Sequence, residues 1–185
     1  MLPSRRDFLR RISSVAAACA VAVVVPGVVH EALASPVPRK RVLLLENLHT
    51  GKRLEVAYAV NGRYTPEALK TLNQFLRDPR NGATTRMDPR LFDLLHLLWV
   101  RLGAKTPYHV VSAYRSPSTN AQMRRKSRGV ARNSYHMRGK AMDVYLPGVP
   151  LARLRDAALA ARMGGVGFYP RDGFVHLDTG PVRHW

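Results

Sequence analysis

The stretch Asp88-Pro89-Arg90-Leu91-Phe92-Asp93-Leu94-Leu95-His96-Leu97-Leu98-Trp99-Val100-Arg101-Leu102 places Leu91, Leu94, Leu95, Leu98, Trp99 and Leu102 on one stripe of a 3.6-residue repeat. Asp88 followed by Pro89 is a capping residue with proline at the first helical position, so the segment predicts the main buried helix of a domain. Downstream, residues 108–113 read as a strand, followed by a turn at Ser116-Pro117 and a basic, polar helix over 118–126. Residues 141–146 form a second strand pattern, 151–163 an Ala-rich helix, and 165–169 and 175–178 short closing strands. Upstream, Thr65-Pro66-Glu67 repeats the capping device for a helix running to about Arg77. Apolar or alternating runs over 42–48 and 53–60 flank His49-Thr50-Gly51-Lys52 and predict a hairpin. The expected fold is α+β: a single domain whose central, mostly antiparallel sheet is packed by helices.

Composition agrees with one domain. The chain has 185 residues, is 46% hydrophobic, and carries 30 Lys plus Arg against 12 Asp plus Glu, a globular balance that excludes a disordered basic tail. Its single cysteine, Cys19, excludes an internal disulfide framework and multi-cysteine metal clusters, so a metal would need His and Asp. Residues 1–34 divide into an Arg-rich start, an apolar run over 12–29 and the small-residue step Ala32-Leu33-Ala34, the order of an export signal cleaved near Ala34. Within it, Ser4-Arg5-Arg6-Asp7-Phe8-Leu9-Arg10 resembles a twin-arginine signal, which implies an exported, periplasmic protein. Pro26, Gly27 and His30 interrupt the apolar run, against a membrane anchor that would need about 20 apolar residues. The run continues past Cys19, which argues against lipidation there. Residues 35–41 read as a linker, and residues 42–185 as the folded domain. The leader holds four arginines against Asp7 and Glu31, so its removal leaves the basic excess with the domain.

The chemistry concentrates in three stretches: Ser112-Ala113-Tyr114-Arg115-Ser116, the run from Ser134 through His136 and Gly139 to Asp143, and Phe174-Val175-His176-Leu177-Asp178. His136 in a loop and Asp143 on a strand can return to one point if Gly139 permits a turn. With His176 from a neighbouring strand they make two histidines and one aspartate with a position open, a composition suited to catalytic zinc. A loop histidine at 136 and a turn-capping aspartate at 143 are the plainer alternatives for either residue taken singly.

The pattern Ser134-x-His136-x-x-Gly139-x-Ala141-x-Asp143, with Ser112-x-Tyr114-Arg115-Ser116 before it and His176 after it, resembles the zinc D,D-peptidase family of bacterial cell-wall enzymes, which includes VanX- and VanY-like members. It is most similar to the MepK-type murein endopeptidase branch through Asn133-Ser134-Tyr135-His136, Gly164-Gly165-Val166-Gly167-Phe168-Tyr169-Pro170 and the tail from Phe174 to Gly180 with Arg183 and Trp185. The resemblance implies a zinc cleft on the sheet, one Zn2+ per chain held by His136, Asp143 and His176, and hydrolysis of peptidoglycan peptide crosslinks. Arg115 is then the candidate for the oxyanion or a substrate carboxylate. Ser134 is expected to position substrate or donate to Asp143, and Tyr114 to contact substrate or pack. The wider family has a Glu three residues, or a His two residues, before the last ligand; here those positions are Gly173 and Phe174. Asp178, one strand repeat from His176, is the candidate base or a group orienting a ligand, with Asp172 and His184 as other proton acceptors.

Two further readings stay open: a non-catalytic zinc-containing peptidoglycan-binding module, and a carboxypeptidase acting on stem peptides. The Gly164 to Gly167 run lacks the spacing and strand-to-helix setting of a dinucleotide loop. No Gly-x-Ser-x-Gly elbow or Cys-His pair is present. His49, His96 and His109 lie outside the motifs. Arg124, Arg125, Lys126, Arg128 and Arg132 form a basic patch without a nucleic-acid motif, so an anionic envelope surface is the expected partner. Neither nucleic acid nor stable membrane insertion after signal cleavage is expected, and the protein is expected to be a monomer.

Overall fold

The computed structural model describes residues 39–127 and 129–185. The export signal, the start of the linker and Arg128 of the basic patch lie outside the described residues. Among those described, no helix is long and apolar enough to cross a membrane.

The strands are β1 Lys40–Asn47, β2 Lys52–Val60, β3 Arg63–Tyr64, β4 Tyr108–Ser112, β5 Ala141–Tyr145, β6 Gly165–Tyr169, β7 Phe174–Asp178 and β8 Arg183–His184; the helices are α1 Pro66–Phe75, α2 Pro89–Arg101, α3 Pro117–Lys126 and α4 Leu151–Ala161. All eight strands form one sheet in the order β3-β2-β1-β4-β5-β7-β6-β8. Only β1 with β4 and β6 with β8 pair in parallel. Thus the α+β, mostly antiparallel expectation holds. Lys40 and Arg41, read as linker, instead pair with Val60 and Ala59 at the start of β1.

Of the stripe read from the sequence, Leu91, Leu94, Leu95 and Leu98 are buried and Trp99 and Leu102 pack partly buried beside them; with Phe92, the buried leucines of α2 join Leu43, Leu45, Tyr108, Val110, Met142, Val144, Val175 and Leu177 of the sheet in one core. Burying a leucine of this kind contributes roughly 1.5–3 kcal/mol relative to leaving it exposed. Asp88 caps α2 by accepting from the Arg90 amide at 3.1 Å. The matching device at α1 works differently, because Thr65 precedes Pro66 but makes no side-chain capping bond. His96 of α2 is half-buried with Nδ1 3.0 Å from the Val42 carbonyl, a boundary position.

The strand register positions the polar residues. Ser112 faces Asp143 across β4 and β5, Asp143 faces His176 across β5 and β7, and His176 faces Gly167 across β7 and β6. Strand side chains alternate between faces. A register shift between Val110 and Ser112 takes Ser112 off the face of Val110, so this row lies opposite the face carrying Val110, Val144 and Val175, whose side chains belong to the core. One face of the sheet makes the core with the helices, and the other carries the polar row.

Candidate metal centre and cleft

His136 sits in a single 3-10 turn, Tyr135–Arg138, whose first amides are capped by Ser134. Gly139 ends the turn at φ +64°, and a Cβ there would stand 2.6 Å from the Arg86 carbonyl oxygen, so both conformation and space require glycine. Lys140 follows, and β5 then delivers Asp143 beside His176 of β7.

His136, Asp143 and His176 are all buried, and one potential ligand atom from each lies within 4.8 Å of the others. His136 Nδ1 is 2.7 Å from the Ala113 carbonyl oxygen. A carbonyl can only accept, so Nδ1 donates and Nε2 faces the other two residues with its lone pair. His176 Nε2 is 3.1 Å from Asp178 Oδ2, which by the same logic leaves Nδ1 as the inward atom. His136 Nε2 to His176 Nδ1 is 3.2 Å, His176 Nδ1 to Asp143 Oδ1 is 2.8 Å and His136 Nε2 to Asp143 Oδ1 is 3.2 Å. Tetrahedral zinc bonds of about 2.0–2.1 Å would separate ligand atoms by roughly 3.3 Å. Three atoms converging at nearly that spacing need a shared proton or a metal cation between them, and this donor set fits a divalent metal.

The charge balance points the same way. Burial pushes the Asp143 carboxyl up, but the charges and hydrogen bonds of His136 and His176 outweigh it, so its pKa lies well below the ordinary value. Burial opposes charge on His176, yet hydrogen bonds to Asp143 and Asp178 win and its pKa is raised. The centre is thus built to hold positive charge.

Asp178 is fully buried. Its Oδ2 accepts from His176 Nε2 and from Arg183 at 2.7 Å; its Oδ1 accepts from the Gly165 and Gly180 amides at 3.1 and 2.8 Å and from Arg183 at 3.0 Å. Burial raises its pKa, but these donors pull it well below normal. A carboxylate so fully engaged holds the His176 ring and has no free oxygen turned to the cleft, which argues for the orienting alternative over the base. His184 is exposed and does not line the cleft. Asp172 is exposed at the cleft wall, the one cleft carboxylate besides Asp143 among the described residues.

Arg115 follows β4 and is itself buried, with Nη2 3.9 Å from Asp143 Oδ2. Its amide donates to the His136 carbonyl at 3.3 Å, so it is tied to the same turn as the histidine. Ser134 lines the cleft, but its hydroxyl accepts from the His136 amide at 3.3 Å; it braces the turn, with no bond to Asp143. Tyr114 is half-buried against the core and is not among the cleft-lining residues, so its place is in packing, because its side chain follows the core face and Arg115 the other.

The cleft has a volume of about 700 Å3, within the range of ligand sites. Tyr135, Tyr169, Phe174 and Trp185 supply aromatic wall, and His49, apart from the motifs in sequence, also reaches it. The Trp185 ring lies against His176, tilted by 51° with ring centres 5.2 Å apart, and its indole N–H donates to the Tyr169 hydroxyl. Arg183 lies over Tyr135 and Trp185 while gripping Asp178. Cβ atoms at Gly165 and Gly167 would strike Arg183 and Trp185 at 2.2 and 2.7 Å, so these glycines make room for the closing strand β8. The sequence motif by itself assigns Arg183 and Trp185 no role; their i and i+2 spacing, which puts both on one side of an extended segment, is the signal it offers. Arg80, a further cleft cation, carried none.

The family model described as peptidoglycan L,D-endopeptidase MepK matches residues 35–185. The chain is 49% identical over 148 residues to the peptidoglycan L,D-endopeptidase MepK of Escherichia coli K12, covering 80% of this chain and 81% of that protein. The same figures hold for the Shigella flexneri protein of that name. A probable peptidoglycan L,D-endopeptidase MepK of Haemophilus influenzae is 44% identical over 149 residues, covering 80% of each chain. No solved structure matches.

Proposed function

Since the chain belongs to the peptidoglycan L,D-endopeptidase MepK family, we propose that it is a zinc-dependent endopeptidase that hydrolyses L,D-peptide crosslinks of bacterial peptidoglycan. The observation that carries this reading is the convergence of His136 Nε2, His176 Nδ1 and Asp143 Oδ1 beside a buried arginine. Zinc, when bound, supplies a water of lowered pKa and polarises the scissile carbonyl. The chain's own contribution is to hold the two imidazoles in fixed tautomers through the Ala113 carbonyl and Asp178, and to aim the Arg115 guanidinium at charge developing on the carbonyl oxygen. The aromatic wall from Tyr135 to Trp185 gives the peptide a shaped, partly water-excluding bed.

The twin-arginine-like leader supports export and action in the periplasm, where the wall lies. The exposed Arg124, Arg125 and Lys126 at the cleft-bordering end of α3, with exposed Arg132 in the turn beyond it, suit attraction to the anionic envelope, an effect that salt weakens.

Purified, zinc-reconstituted protein is expected to cut 3-3 linked muropeptide dimers, with products identified by mass and cleavage lost on chelation and restored by zinc. Absence of zinc-dependent cleavage from both 3-3 and 4-3 linked dimers would favour the binding-module reading. Release of single terminal residues from uncrosslinked stems, with dimers left intact, would mark a carboxypeptidase. Asp178→Asn should weaken metal binding about 10- to 100-fold, the effect typical of losing a ligand's hydrogen-bond partner, while added zinc recovers much of the turnover. A variant dead even when saturated with metal would return Asp178 to the role of base.

A further inference from the structure

Arg115 is poorly compensated for a buried cation. Its residue is 8% exposed, Nε is buried with no hydrogen-bond partner, and Nη1 and Nη2 hold only long bonds of 3.4 and 3.3 Å to Asn120 and Ser112. Asp143, its nearest carboxylate at 3.9 Å, is the same group that faces the two histidines. A metal drawing on that carboxylate leaves the guanidinium needing another anion.

A second, exposed guanidinium borders the cleft. Arg80 lines the same cleft and, among the described residues, its side chain makes no ion pair or hydrogen bond. The loop that carries it is fastened to the Arg115 segment: buried Asp78 accepts from the Arg80 amide at 3.0 Å with one oxygen and from the Ser116 amide at 2.9 Å with the other, and Asn81 donates to the Ser116 hydroxyl at 2.8 Å. Two like charges lining one cleft, on segments tied together by these bonds, attract a shared anion. Asp172, exposed at the cleft wall, bonds to neither arginine.

Resting on the endopeptidase reading, we infer that Arg80 and Arg115 together bind the substrate carboxylate on the carbon next to the scissile nitrogen, and that Arg80 makes the enzyme selective for crosslinks in which this carboxylate is free. An L,D-bond to the D-centre amine of a diamino diacid places a carboxylate there, on the amine side of the bond. Arg115, beside Asp143, meets both the developing oxyanion and one edge of the carboxylate, and Arg80 takes the other edge.

The test compares zinc-loaded protein on 3-3 linked dimers whose carboxylate next to the scissile nitrogen is free or amidated, and on the amine-side product in both forms by calorimetric binding. Wild type should show kcat/KM about ten- to a hundredfold higher for the free acid, the usual worth of a hydrogen bond to a charged group, and bind the free-acid product more tightly by a similar factor. Arg80→Gln should lose that preference chiefly through KM, with zinc content unchanged, while Arg101→Gln, an exposed charge outside the cleft, should retain it. Equal handling of acid and amide by wild type, or a preference that survives Arg80→Gln, overturns the inference. If neither dimer is cut but acid-selective product binding depends on Arg80, the endopeptidase reading falls and the carboxylate site stands.

Discussion

His136→Ala is expected to yield a folded protein that holds no zinc after reconstitution and cuts crosslinked muropeptides no faster than background. The substitution removes one of three ligand atoms whose mutual spacing already approaches a tetrahedral edge, and an Asp-His pair alone has too few donors for a catalytic site. It also frees the Ala113 carbonyl that fixed the ring, so water entering the gap cannot restore the geometry. Because the histidine lies in a turn beside the cleft and not in the apolar core, circular dichroism and melting should show a domain that still folds. Elemental analysis beside a cleavage assay checks the result. Equal zinc in variant and wild type would sink the ligand assignment, and metal-free wild type after reconstitution would sink the site itself.

Arg115→Met should have the next largest effect, lowering kcat by about 10²- to 10³-fold, or roughly 2.7–4 kcal/mol, the range for removing one oxyanion donor from a preorganised site. Methionine keeps much of the side chain's volume and removes its charge. The protein should therefore retain zinc, since the guanidinium is 3.9 Å from Asp143 and is not itself a ligand. Arg115→Lys should recover little, because an ammonium cannot reproduce the planar fork that meets oxyanion and carboxylate together. The assay separates kcat from KM on saturating dimer. A variant with normal kcat and raised KM would confine Arg115 to binding substrate, and one that loses zinc would make it part of the metal centre's support.

The elements that the sequence disclosed are those with repeated local pattern. The leucine stripe of α2 and the alternating runs of the β1–β2 hairpin repeat a spacing that one face of a helix or strand imposes, and β5 and β7 are short runs rich in apolar residues. Strands β3 and β8, two residues each, repeat nothing and exist because a neighbouring strand offers its edge. Thr65 was legible as the start of α1 but not as a residue that leaves its hydroxyl unused.

The same division runs through the site. His136, Gly139 and Asp143 are close in sequence, so the turn and strand between them could be read directly, and His176 followed as a second strand carrying the same kind of residue. The chain by itself thus determined the α+β class, the main helix and the three candidate ligands. Which nitrogen each histidine turns inward, the full engagement of Asp178, the packing of Tyr114 and the meeting of Arg80 with Arg115 were decided only by the tertiary structure. Those properties depend on sheet register and on buried hydrogen bonds between segments as far apart as Asp78 and Ser116, and such long-range pairings leave no periodic trace in the order of residues.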